Sequence, residues 1–528
     1  MSEEIKNQEA TPSKEYEFNS YSAYNISNLS FWSSIFNYFD KDEIDAVLRD
    51  PIANHEIAIR LSEFVYTKNG MVGNSIDYQT SLMTLDRVVT AKSPPHKTTK
   101  SRKDKIESNK HLMLTTLDKI DDKAVIRDGL FTDMVDGIAF KYFETKKRAP
   151  DKTKFLSDYD VDSIMEINNL SDIGINASVI TLPWQYTKIV GKKNGRYVLA
   201  FDLKYFSDLS DGTLEQKYKK MPLEIVEGYK NKKRKGDWLV LDNDKTMCVK
   251  IKCKDSEPWG RSAIISALSD VLYKDYFTDA KRNVLDEVCS RLIVQTFPEN
   301  RQGTGSTLNK VQQETQHNAL KNAIVNRTAK SGTSFVSVAA GTKIDSLDAS
   351  TDLFDEKNES NLNNDIACDM GVSAALLGAI TTGTFAGGVH NLSMITAQLY
   401  TWVCEWKKEL VHVINANIIK DKKNPVDIYY FPTSFVNRKE FFDMMSSLYT
   451  TAGGSLTFLL ASAGVDPTIY LSVLDSEIEA DFENKYPVHQ TSYTLSSKDI
   501  NNKGGRPQGD NPEENLGGNM LPSPSDNT

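Results

Sequence analysis

Seven residues, Ile264, Leu268, Leu272, Tyr276, Ala280, Val284 and Val288, recur at every fourth position, the spacing that places side chains on one face of a single helix. The middle of this segment, Tyr273-Lys-Asp-Tyr-Phe-Thr-Asp-Ala-Lys-Arg-Asn283, is nevertheless largely polar. About 28 helical residues extend roughly 42 Å. A helix of that length with a polar middle has no place in the core of its own chain. It stands in solvent or lies beside copies of itself.

The elements after this helix narrow its role. A strand is expected over Leu292 to Phe297, then a glycine loop (Gly303, Gly305), a helix near Thr307 to Arg327, and strands at Phe335 to Val338 and Lys343 to Leu347. A second helix starts at Ser350 or Thr351, where Asp352, Asp355 and Glu356 complement its N-terminal dipole, and it stops at Met370–Gly371. One helix leads out, a small α/β unit comes next, and a second helix leads back, so the unit reads as a projecting tip. The segment Leu377-Gly-Ala-Ile-Thr-Thr-Gly-Thr-Phe-Ala-Gly-Gly388 is small, polar and glycine-rich, a flexible loop aimed into whatever space the copies enclose. Ring assembly is the simplest solution, because head-to-tail contacts close when the rotation allows it.

Upstream, Asp40-Lys-Asp-Glu-Ile-Asp leads into Ala46, Val47 and Leu48, and Ile57, Leu61 and Val65 repeat at four-residue spacing before an Asn69–Gly70 stop. Lys92 to Lys110 reads as a loop with seven Lys/Arg and two acids, and helical periodicity resumes at Leu112, Leu114, Leu117 and Ile120. Strands rich in β-branched and aromatic residues are expected at Gly137–Phe143, Ala177–Leu182, Tyr186–Val190 and Gly195–Asp202, with Asn194–Gly195 supplying the positive φ of a tight turn. Leu223–Val226 and Asp237–Leu241 read as strands flanking a basic hairpin tip that contains Lys230 to Lys235, and Met247–Lys252 adds another strand. The cleanest helix runs from Asn391 to about Lys420. Leu392, Ile395, Leu399, Trp402, Trp406 and Val413 line it as core residues, interrupted only by Glu409. A strand at Val426–Phe431 and two helical segments between Asn437 and Glu483 come after it, and both chain ends read as disordered.

Composition excludes several classes. The chain has 528 residues, 63 basic and 72 acidic side chains and a net charge of −9, which argues against a protein that grips phosphate backbones over a large surface. No apolar run approaches the ~18 residues of a membrane span, and the polar N-terminus is not that of a signal peptide. Cys248, Cys253, Cys289, Cys368 and Cys404 are scattered and odd in number, and the seven histidines never pair at ligand spacing, so reduced thiols and no metal are expected. Gly378-Ala-Ile-Thr-Thr-Gly383-Thr384 has phosphate-loop glycines without the lysine, and Gly303-Thr-Gly305 lacks the third glycine of a dinucleotide loop. His55-Glu56 lacks the second histidine of a zinc-protease helix, and Gly371-Val-Ser373-Ala-Ala375 is half a nucleophile elbow. No cofactor and no catalytic residue is expected. The Lys230–Lys235 and Lys92–Lys110 segments read first as solvated turns.

Several stretches are similar to the portal proteins of tailed bacteriophages, in scattered matches between about Tyr66 and Glu483. Pro258-Trp-Gly-Arg-Ser-Ala263, opening a helix, resembles the start of that family's first stem helix. Asn364-Asp-Ile-Ala-Cys-Asp-Met-Gly-Val-Ser-Ala-Ala-Leu-Leu-Gly378 is similar to its Ile-Ala…Gly-Val-Pro…Leu-Leu-Gly segment, with Ser373 where proline is usual. Asp128-Gly-Leu…Val-Asp-Gly-Ile-Ala-Phe-Lys-Tyr142 and Leu182-Pro-Trp-Gln-Tyr-Thr-Lys-Ile189 resemble its wing strands, and Asn391 is placed like the asparagine beyond its tunnel loop.

The resemblance implies an α+β portal fold assembled as a ring, expected to be a dodecamer, at a capsid vertex. It implies a disordered N-terminus (1–25), a wing (26–257), a first stem helix (258–291), a clip (292–350), a second stem helix (351–377), a tunnel loop (378–390), a long spoke helix with a wing strand (391–436), crown helices (437–490) and a disordered tail (491–528). Thr381, Thr382, Thr384, Phe385 and His390 would face double-stranded DNA passing through the channel. Arg301, Lys310, Gln313, Lys321 and Arg327 would form the clip surface on which the terminase large subunit and then the tail adaptor dock. Major capsid and scaffolding proteins are further implied partners, with assembly in the host cytoplasm and residence in the virion. The competing readings are another ring-forming connector or baseplate protein, a cytosolic enzyme with an unrecognised site, and a host scaffold protein.

Overall fold

Local signals start and stop many of the elements in this computed structural model, which describes residues 35, 38–92, 99–146, 176–207, 211–231, 236–289, 293–298, 306–329, 338–339, 341–346, 356–377 and 385–486. The Glu43 carboxylate accepts the Asp40 N–H at 3.2 Å at the start of α1 (Lys41–Arg49). Asn69 ends α2 (His55–Lys68) and also begins α3 (Gly70–Leu82), its side chain accepting the N–H groups of Met71 and Val72. A stop signal in the sequence is therefore a restart in the structure. Strand β1 (Arg87–Ala91) comes next, then α4 (Lys100–Ile120) and α5 (Asp122–Asp136), which is closed by Gly137 at φ 86°.

Two three-stranded antiparallel sheets occupy the middle of the chain. β2 (Ile138–Glu144) is the central strand between β3 (Ser178–Thr181) and β7 (Thr246–Lys250), with Tyr142 opposite Ile180 on one side and Thr246 on the other. β5 (Arg196–Asp202) lies between β4 (Thr187–Lys193) and β6 (Trp238–Val240). The β4–β5 turn is the Asn194–Gly195 pair, at φ 53° and 79°, as the sequence required. Helices α6 (Asp211–Lys220) and α7 (Leu223–Lys230) separate β5 from β6.

Past a 3₁₀ turn at Ala263–Ala267 come α8 (Leu268–Cys289), β8 (Ile293–Thr296), α9 (Lys310–Ala329), β9 (Lys343–Ser346) and α10 (Glu356–Asp369). Helix α11 (Phe385–Ile414) runs into a π turn at Asn415–Ile419, and β10 (Val426–Tyr430) pairs antiparallel with β1. The chain then forms α12 (Arg438–Ala452), α13 (Leu456–Ser462), α14 (Pro467–Glu479) and α15 (Phe482–Lys485). By compactness the chain divides into residues 1–464 and 465–528. In the second unit Asp466 caps α14 by accepting from Thr468 and Ile469, and α14 buries none of its own residues.

The main core of the first unit is built along α11. Leu399, Val403, Trp406, Leu410 and Val413 are fully buried there, against Leu61 and Val65 of α2, Ile76 of α3, Leu130 of α5 and Leu268 of α8. Each such side chain contributes about 1.5–3 kcal/mol by leaving water. Trp406 is the largest; its indole N–H donates to Asp133 at 2.7 Å. A second, aromatic core joins Phe140, Tyr142, Phe201, Phe206 and Ile225.

Some sequence expectations are corrected. Leu223–Val226 is not a strand but the first turn of α7, so Lys230 ends a helix, and residues 232–235 lie outside the described residues. Ile225 and Val226 are β-branched, but one face of a short apolar run packs equally well from a helix. Lys100–Lys110 is not loop but the first half of α4, whose Asn109 and Met113 are buried. The long helix starts at Phe385 rather than Asn391, and the segment after Asn437 holds four helices rather than two. The strand expected from Phe335 and the turn at Ser350–Thr351 lie outside the described residues, apart from Val338.

Candidate functional site

The α8–α10 pair is rooted where two backbones touch. Gly260 crosses Gly137 so closely that a Cβ at Gly260 would sit 1.9 Å from the Gly137 carbonyl oxygen. The Ile251 N–H donates to Gly137 O at 3.0 Å, the Arg261 N–H to Ile251 O at 3.1 Å, and the Ser262 hydroxyl to Met134 O at 3.0 Å. Beside the crossing, the His55 ring stacks on Trp259 with centroids 4.0 Å apart.

Beyond this root α8 leaves the core. Leu268 and Val271 are buried, Leu272 is half-buried, and Tyr273 and Tyr276 are 57% and 68% exposed. The four-residue row is therefore real at its start and stops meeting a core within two turns. α10 runs antiparallel beside α8 along a polar seam: Ser266 Oγ donates to Asp369 O at 3.3 Å, Lys274 Nζ to Asn363 at 2.5 Å, and Lys281 pairs with Glu359 at 2.9 Å. Burial raises the Asp270 carboxyl, and the nearby Asp369 and Asp365 raise it further. Burial likewise lowers Lys274, while the hydrogen bond from Lys281 lowers Glu359. After the pair diverges in sequence, β8 and β9 close it again, with Ile293 opposite Ser346.

At the other end of α10, Gly371 turns the chain at φ 74°. Asn391 on α11 bridges back to it, its amide donating to Gly371 O at 3.0 Å and its carbonyl accepting the Ser373 N–H at 2.9 Å. One side chain thus ties the turn after α10 to the second turn of α11. Thr381, Thr382 and Thr384 lie outside the described residues. Phe385 is the first residue of α11 and His390 is exposed on that helix, so neither belongs to a loop. The first turns of α11 stand clear of the core, with Met394 72% exposed, and burial begins at Ile395.

Of the expected clip set, Arg301 lies outside the described residues. Lys310, Gln313, Lys321 and Arg327 all fall on α9. The helix is started by a reciprocal cap in which Asn309 accepts the Gln312 N–H at 2.9 Å and Gln312 accepts the Asn309 N–H at 3.1 Å. Lys310 is exposed, whereas the Gln313 amide turns back to donate to Leu308 O at 2.9 Å.

Two buried polar groups were not read from the sequence. Arg196 of β5 and Glu409 of α11 form a buried pair (2.7 Å), and the same guanidinium also donates to the carbonyls of Asn243 and Thr246. Glu409 was visible as the break in an apolar row, but its partner lies far away in sequence. On the last turn of α5, burial pushes Asp133 well up, and burial together with Glu63 raises Asp136 to about 7. Among the described residues no three His, Cys, Asp or Glu side chains gather as a metal site, Cys248, Cys253, Cys368 and Cys404 are free, and no single helix is long and apolar enough to cross a membrane.

No protein-family model and no curated protein matches the chain. Among solved structures it is similar to the neck of a native gene transfer agent particle computed with C12 symmetry, at 10% identity over 81% of this chain and 94% of that chain, with a TM-score of 0.43. It is similar to the neck of the empty particle computed with C6 symmetry, at 12% identity over 76% of this chain and 92% of that one, with a TM-score of 0.44. An HK97-family phage portal protein from Corynebacterium diphtheriae shares 12% identity over 68% of this chain and 92% of that chain, with a TM-score of 0.27. The functional reading rests on the chain's own elements.

Proposed function

We propose that the chain is a portal subunit, twelve copies of which form a ring that conducts double-stranded DNA into and out of a virion. The observation that carries this reading is the α8–α10 pair, an antiparallel helix pair with a polar seam and exposed tyrosines that closes on a small two-stranded sheet. Beyond Leu272 the pair meets little core of its own chain and is suited to packing beside copies of itself. In this reading α8 and α10 are the stem, β8, α9 and β9 the clip, and residues 26–257 the wing. Residues 378–384 form a tunnel loop, shorter than 378–390 because α11 begins at Phe385, and the helices after Asn437 form a crown. Lys310 and the rest of α9 offer the surface for the terminase large subunit and then the tail adaptor. Capsid and scaffolding proteins hold the ring at its vertex. The role is structural rather than catalytic, and no cofactor is needed. Thr381, Thr382 and Thr384 carry no charge, which suits a duplex that must slide and not be held.

Light scattering and negative-stain imaging of the full chain test the ring. Twelve chains of 59.3 kDa give a particle of about 0.7 MDa with a central hole. Tyr276→Glu, at a side chain 68% exposed in the single chain, is expected to shift that particle toward monomer without unfolding it. A wild-type chain that stays monomeric in solution and inside assembling particles overturns the proposal.

A further inference from the structure

The lysine-rich segment that the sequence presents as a loop is drawn by the fold against a second lysine-rich segment over three hundred residues away. Asn109 of α4 donates to Asn424 O at 3.0 Å and to Asp421 at 3.3 Å, and Arg102 Nε donates to the Asn424 side chain at 2.7 Å. The Lys92 N–H donates to Pro425 O at 3.1 Å. The start of α4, the end of β1 and the turn after α11 therefore form one surface. Lys92, Lys103, Lys105, Lys420, Lys422 and Lys423 are all exposed on these three segments, with Lys103 and Lys105 on opposite flanks of the α4 face that Arg102 and Asn109 press on the turn, and none of the six is in an ion pair among the described residues. Three acids lie nearby against the six lysines: Glu107 is paired with Lys110 at 3.1 Å, Asp104 is exposed, and Asp421 stays ionised, its carboxylate held by Asn424 and by backbone N–H groups. On a chain of net charge −9, this is a local reversal of sign.

We infer that this surface holds the phosphate backbone of a DNA duplex, independently of base sequence. Lysines on flexible stems, with no exposed tyrosine or tryptophan anchor among them, suit phosphates, which are met one charge at a time. A protein partner is disfavoured, because lysine is depleted and aromatic anchors are enriched in protein interfaces. The surface lies just past the C-terminal end of α11, a helix of 30 residues, so it stands about 45 Å from the segment that precedes that helix. If residues 378–384 meet the duplex in transit, these lysines meet a different stretch of duplex. The inference does not depend on the ring, since each chain carries the whole patch.

Fluorescence anisotropy of the full chain with a labelled duplex of arbitrary sequence tests it. With one flank of α4 engaged, about five lysine–phosphate contacts give a slope of log K against log salt near −4.5, an affinity loss of about five-hundredfold between roughly 50 and 200 mM salt. The triple variant Lys103→Gln, Lys105→Gln, Lys422→Gln removes the contact from whichever flank of α4 is engaged together with Lys422, and is expected to reduce that slope by about 2. Circular dichroism checks that it folds, as exposed positions should allow. Replacing residues 378–384 by an equal-length Gly/Ser stretch is expected to leave duplex affinity unchanged, which separates this surface from the loop. Absence of duplex binding at low salt, an unchanged slope in the triple variant, or equal competition by a poly-glutamate peptide overturns the inference. The last outcome assigns the patch to an acidic protein.

Discussion

Replacing Asp136 by asparagine should stabilise the protein at neutral pH and do almost nothing in mild acid. Asp136 ends α5 at the root of α8, and burial, with the nearby Glu63, holds its carboxyl at about 7 against an ordinary 3.8. The folded chain therefore keeps this proton over a range in which the unfolded chain has released it. Unfolding releases a proton there, so stability falls as pH rises from about 4 to about 7 and is flat above. Three pKa units at 1.36 kcal/mol each set the cost of the ionised group at about 4 kcal/mol at pH 8. The amide that replaces the carboxyl has no proton to lose and avoids that cost. For a chain this long, the thermal midpoint of D136N at pH 8 should lie roughly 5 °C above wild type, with the two converging near pH 4. The assay is thermal unfolding followed by circular dichroism at several pH values. Parallel pH profiles for variant and wild type would refute the reasoning, because they would mean that Asp136 titrates alike in the folded and unfolded chains.

Other perturbations test the core and the loop anchor. Arg196→Met strands Glu409 and the Asn243 and Thr246 carbonyls and should cost about 3–5 kcal/mol in denaturant unfolding, whereas Arg196→Met with Glu409→Leu should recover most of it. Gly129→Ala would put a methyl 2.5 Å from the Trp406 ring. It should cost about 1–3 kcal/mol, with a near-ultraviolet change from the displaced indole. Asn391→Ala removes both bonds that tie α11 to Gly371 and Ser373, a loss of about 1–2 kcal/mol locally. Faster thermolysin cleavage between Leu377 and Phe385 is the expected result, and an unchanged rate would show that the bridge does not set the segment's ends.

What could be read in the sequence was what is decided locally. Asn194–Gly195 makes its turn because the two residues tolerate positive φ on their own. The polar middle of α8 was legible because an absence of apolar residues needs no partner to interpret. Elements settled by distant contacts were not. β1 was missed because Arg87–Ala91 is a strand only by pairing with β10, far along the chain. α4 looked like loop because its first turns are lysine-rich, and it is held by Asn109 reaching Asn424. Glu409 announced itself as an anomaly, but only the fold names Arg196 as its counterion. In the candidate site α8 and α10 fall where two helices were expected, whereas Asn391 was read as the start of the long helix and not as the residue that bridges to Gly371 and Ser373. The loop set was divided by the early start of α11.

The glycine crossing at the base of α8 has a mechanical consequence. Ordinary packing absorbs displacement, because side chains change rotamer and methyl groups yield. Gly137 and Gly260 offer neither, since backbone meets backbone with nothing between. α8, with 22 residues, is then a lever about 33 Å long turning on a fulcrum with no give. A push at its far end is delivered as torque through the Ile251 and Arg261 hydrogen bonds into β2 and β7, and through Ser262 into α5. Whatever loads the tip of this chain is felt in its sheets.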